Sequence, residues 1–518
     1  MAEQRGGAVR PPEGDDRLSA LLTNANAVRA VASAVAGTLG PKGLDCMLLN
    51  SGGDVIITND GSTILDQIAV SHPAAHLLIN AARAQEREVG DGTTTTTLLA
   101  NALIDAAVHH VTRGVPVVRL LEGMRVAMAR AQSFLDEIAV ACPDLDDPFL
   151  CRAALVAGRG YPEIADLVVR AARLVGREML SDPSFRLADR VVAQDGLESA
   201  VLEGVVIRKG RMNRQMPVQL AEARVLIIDD ALEPEALGEE ALATEAGFRR
   251  FLQVQEEFKA GLRMLMESGV RCVLVERSVD PMAEEALTEA GVLVVRRVAP
   301  SDLASVAELC GARPVKRTVL KRRPEEVSAA LGYADKVVVD DRRQFLCITG
   351  GRGQRVATIL VGASTREVRD ERERIARDAA SAVQAVAVGG VVPGGGAAEL
   401  AAARAVQALR AEMRGMAAYG ADCAIEALRV PLMQIVSNAG FNPLEKVEDV
   451  LAAQAARESP ALAIDCDTGE VTDMMRAGVV DPLPVKKQAL RTAFEVAEAI
   501  LRIDRIIKKR QEPEAAGE

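Results

Sequence analysis

Tryptophan is absent from the 518-residue sequence, and three tyrosines and nine phenylalanines bring aromatic residues to only 2%. A chain so poor in rings offers no stacking platform for single-stranded nucleic acid. A basic excess is also missing: the formal net charge is -11. A phosphate backbone needs a basic surface, so nucleic acid is excluded as the main ligand. No apolar run approaches the ~18 residues that cross a bilayer, so no membrane association is expected. Met1 to Asp16 is polar and lacks the apolar stretch of a signal peptide. The cytoplasm is the expected compartment. Histidine is scarce: His72, His76, His109 and His110 all fall in the first quarter of the chain. His72 and His76 have the spacing of one helix face, but no HExxH accompanies them to make a zinc site. Any Ser-His or Cys-His mechanism must draw on that first quarter, which disfavours protease-like chemistry. The eight cysteines include no Cys-x-x-Cys pair and read as buried thiols in a reducing compartment.

What is present is a soluble, globular composition, 49% hydrophobic and 26% charged. The length exceeds what one core supports, so several domains are expected. Leu18 to Val35 is Ala-rich and helical in pattern, and Thr38-Leu39-Gly40-Pro41-Lys42-Gly43 breaks it. Cys46 to Leu49 and Val55 to Thr58 are short apolar runs around Asn50-Ser51-Gly52-Gly53, a hairpin signal. Ala74 to Gln85 and Leu98 to Val111 are helical again.

The middle of the chain changes character. Gly204 to Arg208, Ala223 to Ile228, Val270 to Val275 and Gly291 to Val295 are short Val/Ile/Leu-rich runs between helical stretches. That is the rhythm of an α/β unit with a covered sheet. Within it, Glu235 to Ser268 is long and charged, with Phe248, Phe251, Leu252, Phe258, Leu262 and Leu265 at near-helical spacing. It reads either as an ordinary amphipathic helix or as a projecting element that meets a neighbour or a client. Glu367 to Ala387 is a long helix that Gly389 to Gly396 ends, and Ala397 to Met413 is another. Tyr419 to Ile507 is mostly helical, with a hairpin-like interruption around Asp465 to Asp481. The polar tail Gln511 to Glu518 is expected to be disordered. Helical first and last thirds around an α/β middle suit one domain inserted into another.

The sharpest motif is Val89-Gly90-Asp91-Gly92 followed by Thr93 to Thr97, immediately before a helix. Glycines let backbone N–H groups approach a ligand, and a helix start offers unpaired donors and partial positive charge. A carboxylate beside phosphate suits Mg2+. The plainer reading is a β-turn followed by a threonine N-cap. No Walker A motif is present, so phosphate binding here is not of the P-loop kind. Gly350-Gly351-Arg352-Gly353 lacks the context of a dinucleotide fingerprint and reads as a loop. Thr58-Asn59-Asp60-Gly61 by itself is turn chemistry, and Asp378 by itself is a helical surface residue.

Taken together, these blocks resemble the chaperonin family. They are Thr38 to Asp45, Thr58 to Gly61, Gly90 to Thr94, Val392 to Ala397, Gly478 to Pro482 and Leu501 to Asp504, in order from about residue 18 to 510. Thr-Asn-Asp-Gly and the segment from Glu235 to Ser268 resemble the group II branch with its built-in lid. Thr23 to Ala30 and the threonine run are most similar to bacterial group III members. The resemblance implies that Leu39, Gly40 and Pro41 form the loop at the α-phosphate and that Asp91 is the Mg2+ ligand. It implies that Gly61, Gly92, Thr93, Thr94 and Thr95 bind the nucleotide around its phosphates, Gly395 lies against the ribose, and Asp481 is the acid at the sugar. Asp60 and Asp378 resemble the carboxylates that position and activate the attacking water, Asp378 arriving when an intermediate domain swings down. The chain departs from the family at Gly158-Arg159-Gly160-Tyr161, where a nucleotide-sensing lysine is usual, and it lacks a Gly-Gly-Met tail.

The implied fold is multidomain. A mainly α-helical equatorial domain joins residues 1–143 and 391–518. A small α/β intermediate domain joins 144–208 and 351–390, and an α/β apical domain with a helical lid protrusion spans 209–350. The implied function is an ATP- and Mg2+-dependent ATPase that encapsulates non-native protein clients. It would act in two stacked rings, eight subunits each, without a separate co-chaperonin. The alternative is a chaperonin-like scaffold with reduced ATP turnover, which missing carboxylates would mark; Asp60, Asp91 and Asp378 are all present. A metabolic phosphotransferase would need a substrate pocket with its own acid or base, and the sequence shows no such constellation.

Overall fold

The computed structural model describes residues 13–49, 55–196, 198–236 and 244–505. The expected turn at Asn50 to Gly53, the tail from Gln511 and part of the charged middle segment (237–243) lie outside them. The chain forms two compact units. One comprises residues 1–169, 180–188 and 374–518; the other comprises 170–179 and 189–373.

The first unit is built on helices. Glu13–Ala36, Pro73–Val89, Thr93–Thr112, Val117–Ile138, Ala397–Glu412, Ala418–Asn438 and Leu483–Leu501 share one core that includes Leu78, Leu103, Met124, Leu428 and Leu490. Thr93–Thr112 is buried nearly all round, as its apolar composition demands. Small residues set the spacing. A Cβ on Gly123 would lie 1.7 Å from the Ala417 carbonyl oxygen, so Val117–Ile138 and Ala418–Asn438 touch backbone to backbone. Cys46–Leu49 pairs antiparallel with Val55–Thr58, the hairpin that the sequence predicts. Val391–Pro393, inside the glycine-rich turn, pairs antiparallel with Val480–Pro482 and sets Val392 opposite Asp481. His72 caps Pro73–Val89, its Nδ1 accepting from the Ala74 N–H at 3.2 Å, so it does not share a helix face with His76. All eight cysteines are free thiols; Cys142, Cys272, Cys310 and Cys423 are buried, but Cys151 is exposed.

The second unit holds an eight-stranded mixed sheet. Its order is Val191–Asp195, Ala357–Ala363, Ala200–Ile207, Phe345–Gly351, Gly332–Asp340, Gln219–Ile228, Cys272–Val275 and Leu293–Val295. The four runs read from sequence are all strands. The last three strands of that order run parallel, as does the pair Val191–Asp195 and Ala357–Ala363; the other pairings are antiparallel. Of the strands not read from sequence, Gly332–Asp340 is interrupted by the exposed pair Asp335 and Lys336, which hides it from a search for apolar runs. Gly350 and Gly351 are strand residues, not a loop. Cβ atoms on Gly351 and Gly353 would lie 1.8 and 1.9 Å from the carbonyl oxygens of Leu309 and Glu308, so these glycines admit the helix Pro300–Cys310.

Within the charged middle segment, Glu245–Glu267 forms a single helix, as the amphipathic-helix reading expects. Its second half is amphipathic and packed, burying Val254, Phe258, Leu262 and Leu265. Its first half leaves Phe248, Phe251 and Leu252 54%, 36% and 49% exposed.

Candidate active site

The site starts from a helix without a side-chain cap. Gly90 ends Pro73–Val89 in the left-handed region (φ 67°), and Gly92 (φ 83°) begins Thr93–Thr112 with no side chain capping that end. The threonine cap allowed by the sequence is therefore not formed. The first N–H groups of the helix have no intrahelical partner and carry the positive end of its dipole. The hydroxyls of Thr96 and Thr97 donate back to the carbonyls of Gly92 and Thr93 at 2.9 and 2.8 Å. Thr93, Thr94 and Thr95 instead line a recess of about 630 Å³.

Every residue to which the family resemblance gives a role at the nucleotide lines this same recess: Leu39, Gly40, Pro41, Asp60, Gly61, Asp91, Gly92, Thr93, Thr94, Thr95, Asp378, Gly395 and Asp481. Asp91 Oδ1 accepts from the Gly92 N–H at 2.6 Å. Asp60 is more than a turn residue. It caps the helix Gly61–Gln67, accepting from the N–H groups of Ser62 and Thr63 at 3.2 and 2.8 Å and from the Thr63 hydroxyl at 2.6 Å. A Cβ on Gly61 would lie 2.2 Å from Thr94 Oγ1, so only glycine lets this turn press against the threonine helix. Asp378 comes from the helix Arg366–Gly389, which from Arg374 onward belongs to the same unit as the recess. It already lines the recess beside Asp60 and Asp91.

The carboxylates raise one another's pKa. Burial, then Asp91 and Asp60, pushes Glu86 up to about 7. Burial, opposed by the Gly92 hydrogen bond and reinforced by Asp481, pushes Asp91 up to about 6. Asp378 stands well above the ordinary carboxylate range through burial, then Asp60, Asp91 and Glu86, with Arg159 pulling the other way. Such a cluster calls for a cation. Among the described residues, no three His, Cys, Asp or Glu are grouped to hold a metal alone. That donor set fits an ion such as Mg2+, which takes one or two carboxylates and completes its shell with water and phosphate oxygens.

Sequence motifs miss the residues that brace the site. Buried Gln85 donates from Nε2 to the Asp91 carbonyl at 3.0 Å and to that of Val485 at 3.3 Å. Asn438 Nδ2 donates to the carbonyls of Ala36 and Leu39 at 2.9 and 2.8 Å, holding the Leu39-Gly40-Pro41 loop from a helix position that lies 402 and 399 residues away from them in sequence. Lys42 in that loop pairs with Asp467 at 2.5 Å. Lys486 pairs with both Glu399 and Asp481 and lines the recess. Arg159, where the family usually has lysine, also lines it, with a left-handed backbone (φ 53°).

The model of the TCP-1/cpn60 chaperonin family matches residues 31–511. A thermosome subunit of Pyrococcus abyssi is 34% identical, over 98% of this chain and 95% of its own. Thermosome subunit beta of Thermococcus kodakarensis is 32% identical, over 96% and 93%. A crystal structure of a group III chaperonin in the open state superposes with a TM-score of 0.83 at 44% identity, covering 95% of this chain and all of that one. On the strength of both sequence and fold, the chain belongs to the TCP-1/cpn60 chaperonin family.

Proposed function

We propose that the recess is the Mg-ATP site of an ATPase that drives protein folding. The family supplies the coarse statement: this is an ATP-dependent chaperone subunit of a double-ring assembly that needs no separate co-chaperonin. The finer reading concerns this chain's own residues. The N–H groups at the start of Thr93–Thr112, with the hydroxyls of Thr93 to Thr95, bind phosphate oxygens. Leu39, Gly40 and Pro41 close over the α-phosphate. Asp91 would hold Mg2+, which would supply positive charge to offset that of the phosphates. Gly395 leaves room for the ribose, and Asp481 accepts from a sugar hydroxyl.

The two remaining carboxylates divide the work. Asp60 already accepts three hydrogen bonds and is held in one orientation, which suits it to position the attacking water. Asp378 is pushed toward proton affinity by burial and its neighbours, which suits it to take the water's proton. The single observation behind this reading is an uncapped helix start that shares one recess with Asp60, Asp91 and Asp378. Their presence together favours turnover over a scaffold.

The three-domain division, with boundaries near residues 143, 208, 350 and 390, belongs to the same proposal, as do a lid at the first half of Glu245–Glu267, non-native clients, eight subunits per ring and the cytoplasm. Negative-stain imaging of the purified protein with and without Mg-ATP, alongside ATPase assays with Mg2+ and with chelator, tests it. Stacked rings that close with Mg-ATP are expected, and end-on views give the subunit number. A monomer that takes up no adenine nucleotide overturns the reading.

A further inference from the structure

We infer that Lys486 is a positioning residue that fixes Asp481 so that this end of the recess selects a hydroxyl donor, and hence the ligand's sugar. The inference rests on the nucleotide reading above and extends it to a residue that no motif marks. Lys486 Nζ lies 2.6 Å from Glu399 Oε1 and 2.8 Å from Asp481 Oδ2. Its side chain is 11% exposed and that of Glu399 1%. The three residues come from separate places: Glu399 from the first turn of Ala397–Glu412, Asp481 from the strand Val480–Pro482, and Lys486 from the first turn of Leu483–Leu501.

Asp481 is held at both ends. Its backbone pairs with Val392, and its carboxylate is gripped by the ammonium. Gly394 makes room for that carboxylate: a Cβ there would lie 3.2 Å from Asp481 Oδ2. With Oδ2 taken, Oδ1 is the oxygen left for a ligand in the recess that Asp481 lines. An ionised carboxylate only accepts. It therefore repels phosphate and takes a group that donates. The threonine helix start has the opposite preference. The recess is thus polar end to end, with the anionic part of a ligand at Thr93 to Thr95 and a hydroxyl-bearing part at Asp481.

A direct phosphate role for Lys486 fits less well. An ammonium has three donors, and two are engaged by carboxylates. Burial alone works against its charge, but Asp481 and Glu399 outweigh that and hold it protonated. Glu399 Oε2 is buried without a partner among the described residues, so removing the lysine strands this acid.

The test uses the purified full-length protein with Mg2+ and two probes, ATP and its 2′,3′-dideoxy analogue, whose sugar lacks both hydroxyls. The wild type is expected to prefer ATP about tenfold, equivalent to ~1.4 kcal/mol. Lys486→Met should weaken ATP by a similar factor and the dideoxy analogue by less than about twofold, bringing the ratio near one. Lys486→Arg, which keeps the charge, should restore most of the ratio. If the Met variant does not assemble, Lys486→Met with Glu399→Gln removes the stranded acid, and the ratio is read there. Equal weakening of both probes, or a ratio that survives the loss of Lys486, overturns the inference while leaving the nucleotide site intact. A wild type that binds neither probe overturns the nucleotide reading itself.

Discussion

Gly90 and Ser381 are in direct contact: a Cβ built on Gly90 would lie 2.2 Å from Ser381 Oγ and 2.6 Å from its Cβ. Ser381 is one turn beyond Asp378 on the same helix, so the Gly-Asp-Gly turn and the helix that bears Asp378 are registered by a missing side chain. Gly90→Ala meets two penalties. Its φ of 67° costs an L-residue about 1–2 kcal/mol, and the methyl pushes Ser381 away. ATP hydrolysis should fall about tenfold or more, since small misplacements at a reacting centre are costly. Pairing it with Ser381→Gly relieves the clash but not the φ strain, so the double variant should recover part of the loss. A double-mutant cycle on ATPase rate and melting temperature measures that coupling; strict additivity would remove the contact from the mechanism.

Asp378→Asn keeps the shape of the recess but cannot take a proton. ATP binding should survive while hydrolysis falls about 10²–10⁴-fold, the usual span for a lost general base. Burial and neighbouring carboxylates raise Asp378 above its ordinary value of 3.8. It therefore protonates, and activity falls, at a higher pH than a free aspartate would set. Single-turnover hydrolysis at several pH values checks both statements. Wild-type turnover in the variant removes Asp378 from the chemistry.

The parts of the site legible in the sequence are those where a backbone must adopt a special shape. Gly90, Gly92, Gly395 and the Gly40-Pro41 break announce themselves because few other residues fit there. Asp60 and Asp378 are different: a turn aspartate and a helical aspartate look ordinary until resemblance to a family assigns them a role. Gln85, Asn438 and Lys486 stay hidden for another reason. Gln85 reaches Val485, Asn438 reaches Leu39, and Lys486 ties nearby Asp481 to the distant Glu399; no local pattern encodes such pairings. In the sheet, four short apolar runs were legible, and Gly332–Asp340, interrupted by the exposed Asp335 and Lys336, was not.

Glu86 gives the nucleotide-free protein a distinctive pH dependence. Its carboxyl is raised from 4.5 to about 7, first by burial and then by Asp91 and Asp60. The folded state therefore holds a proton that the unfolded chain releases earlier. The stability this contributes is complete below pH 4.5 and is lost as pH rises through about 7. Glu86→Gln avoids the loss. It should stabilise the metal-free protein at pH 8 by on the order of 1–3 kcal/mol and change little at pH 5. Melting curves at the two pH values decide it, and an identical gain at both would show that ionisation of Glu86 is not the cause.

The helix Glu245–Glu267 separates stability from client handling along its length. Phe258 is 4% exposed within the core of its unit, so Phe258→Ala should cost about 3–5 kcal/mol. Phe248 and Phe251 stack on each other with ring centroids 6.4 Å apart but remain exposed. Replacing both with serine should change stability by less than about 0.5 kcal/mol per site. Deleting the whole segment would confound the two effects, because it removes Phe258 and Leu262 from the core. The serine pair isolates the exposed half. If that half closes the cage, the pair should leave ATPase and ring assembly near wild type while a denatured client becomes protease-sensitive in the presence of Mg-ATP. A client that stays protected would mean that this face has no part in closure and that Phe248 and Phe251 are surface residues of an ordinary packed helix.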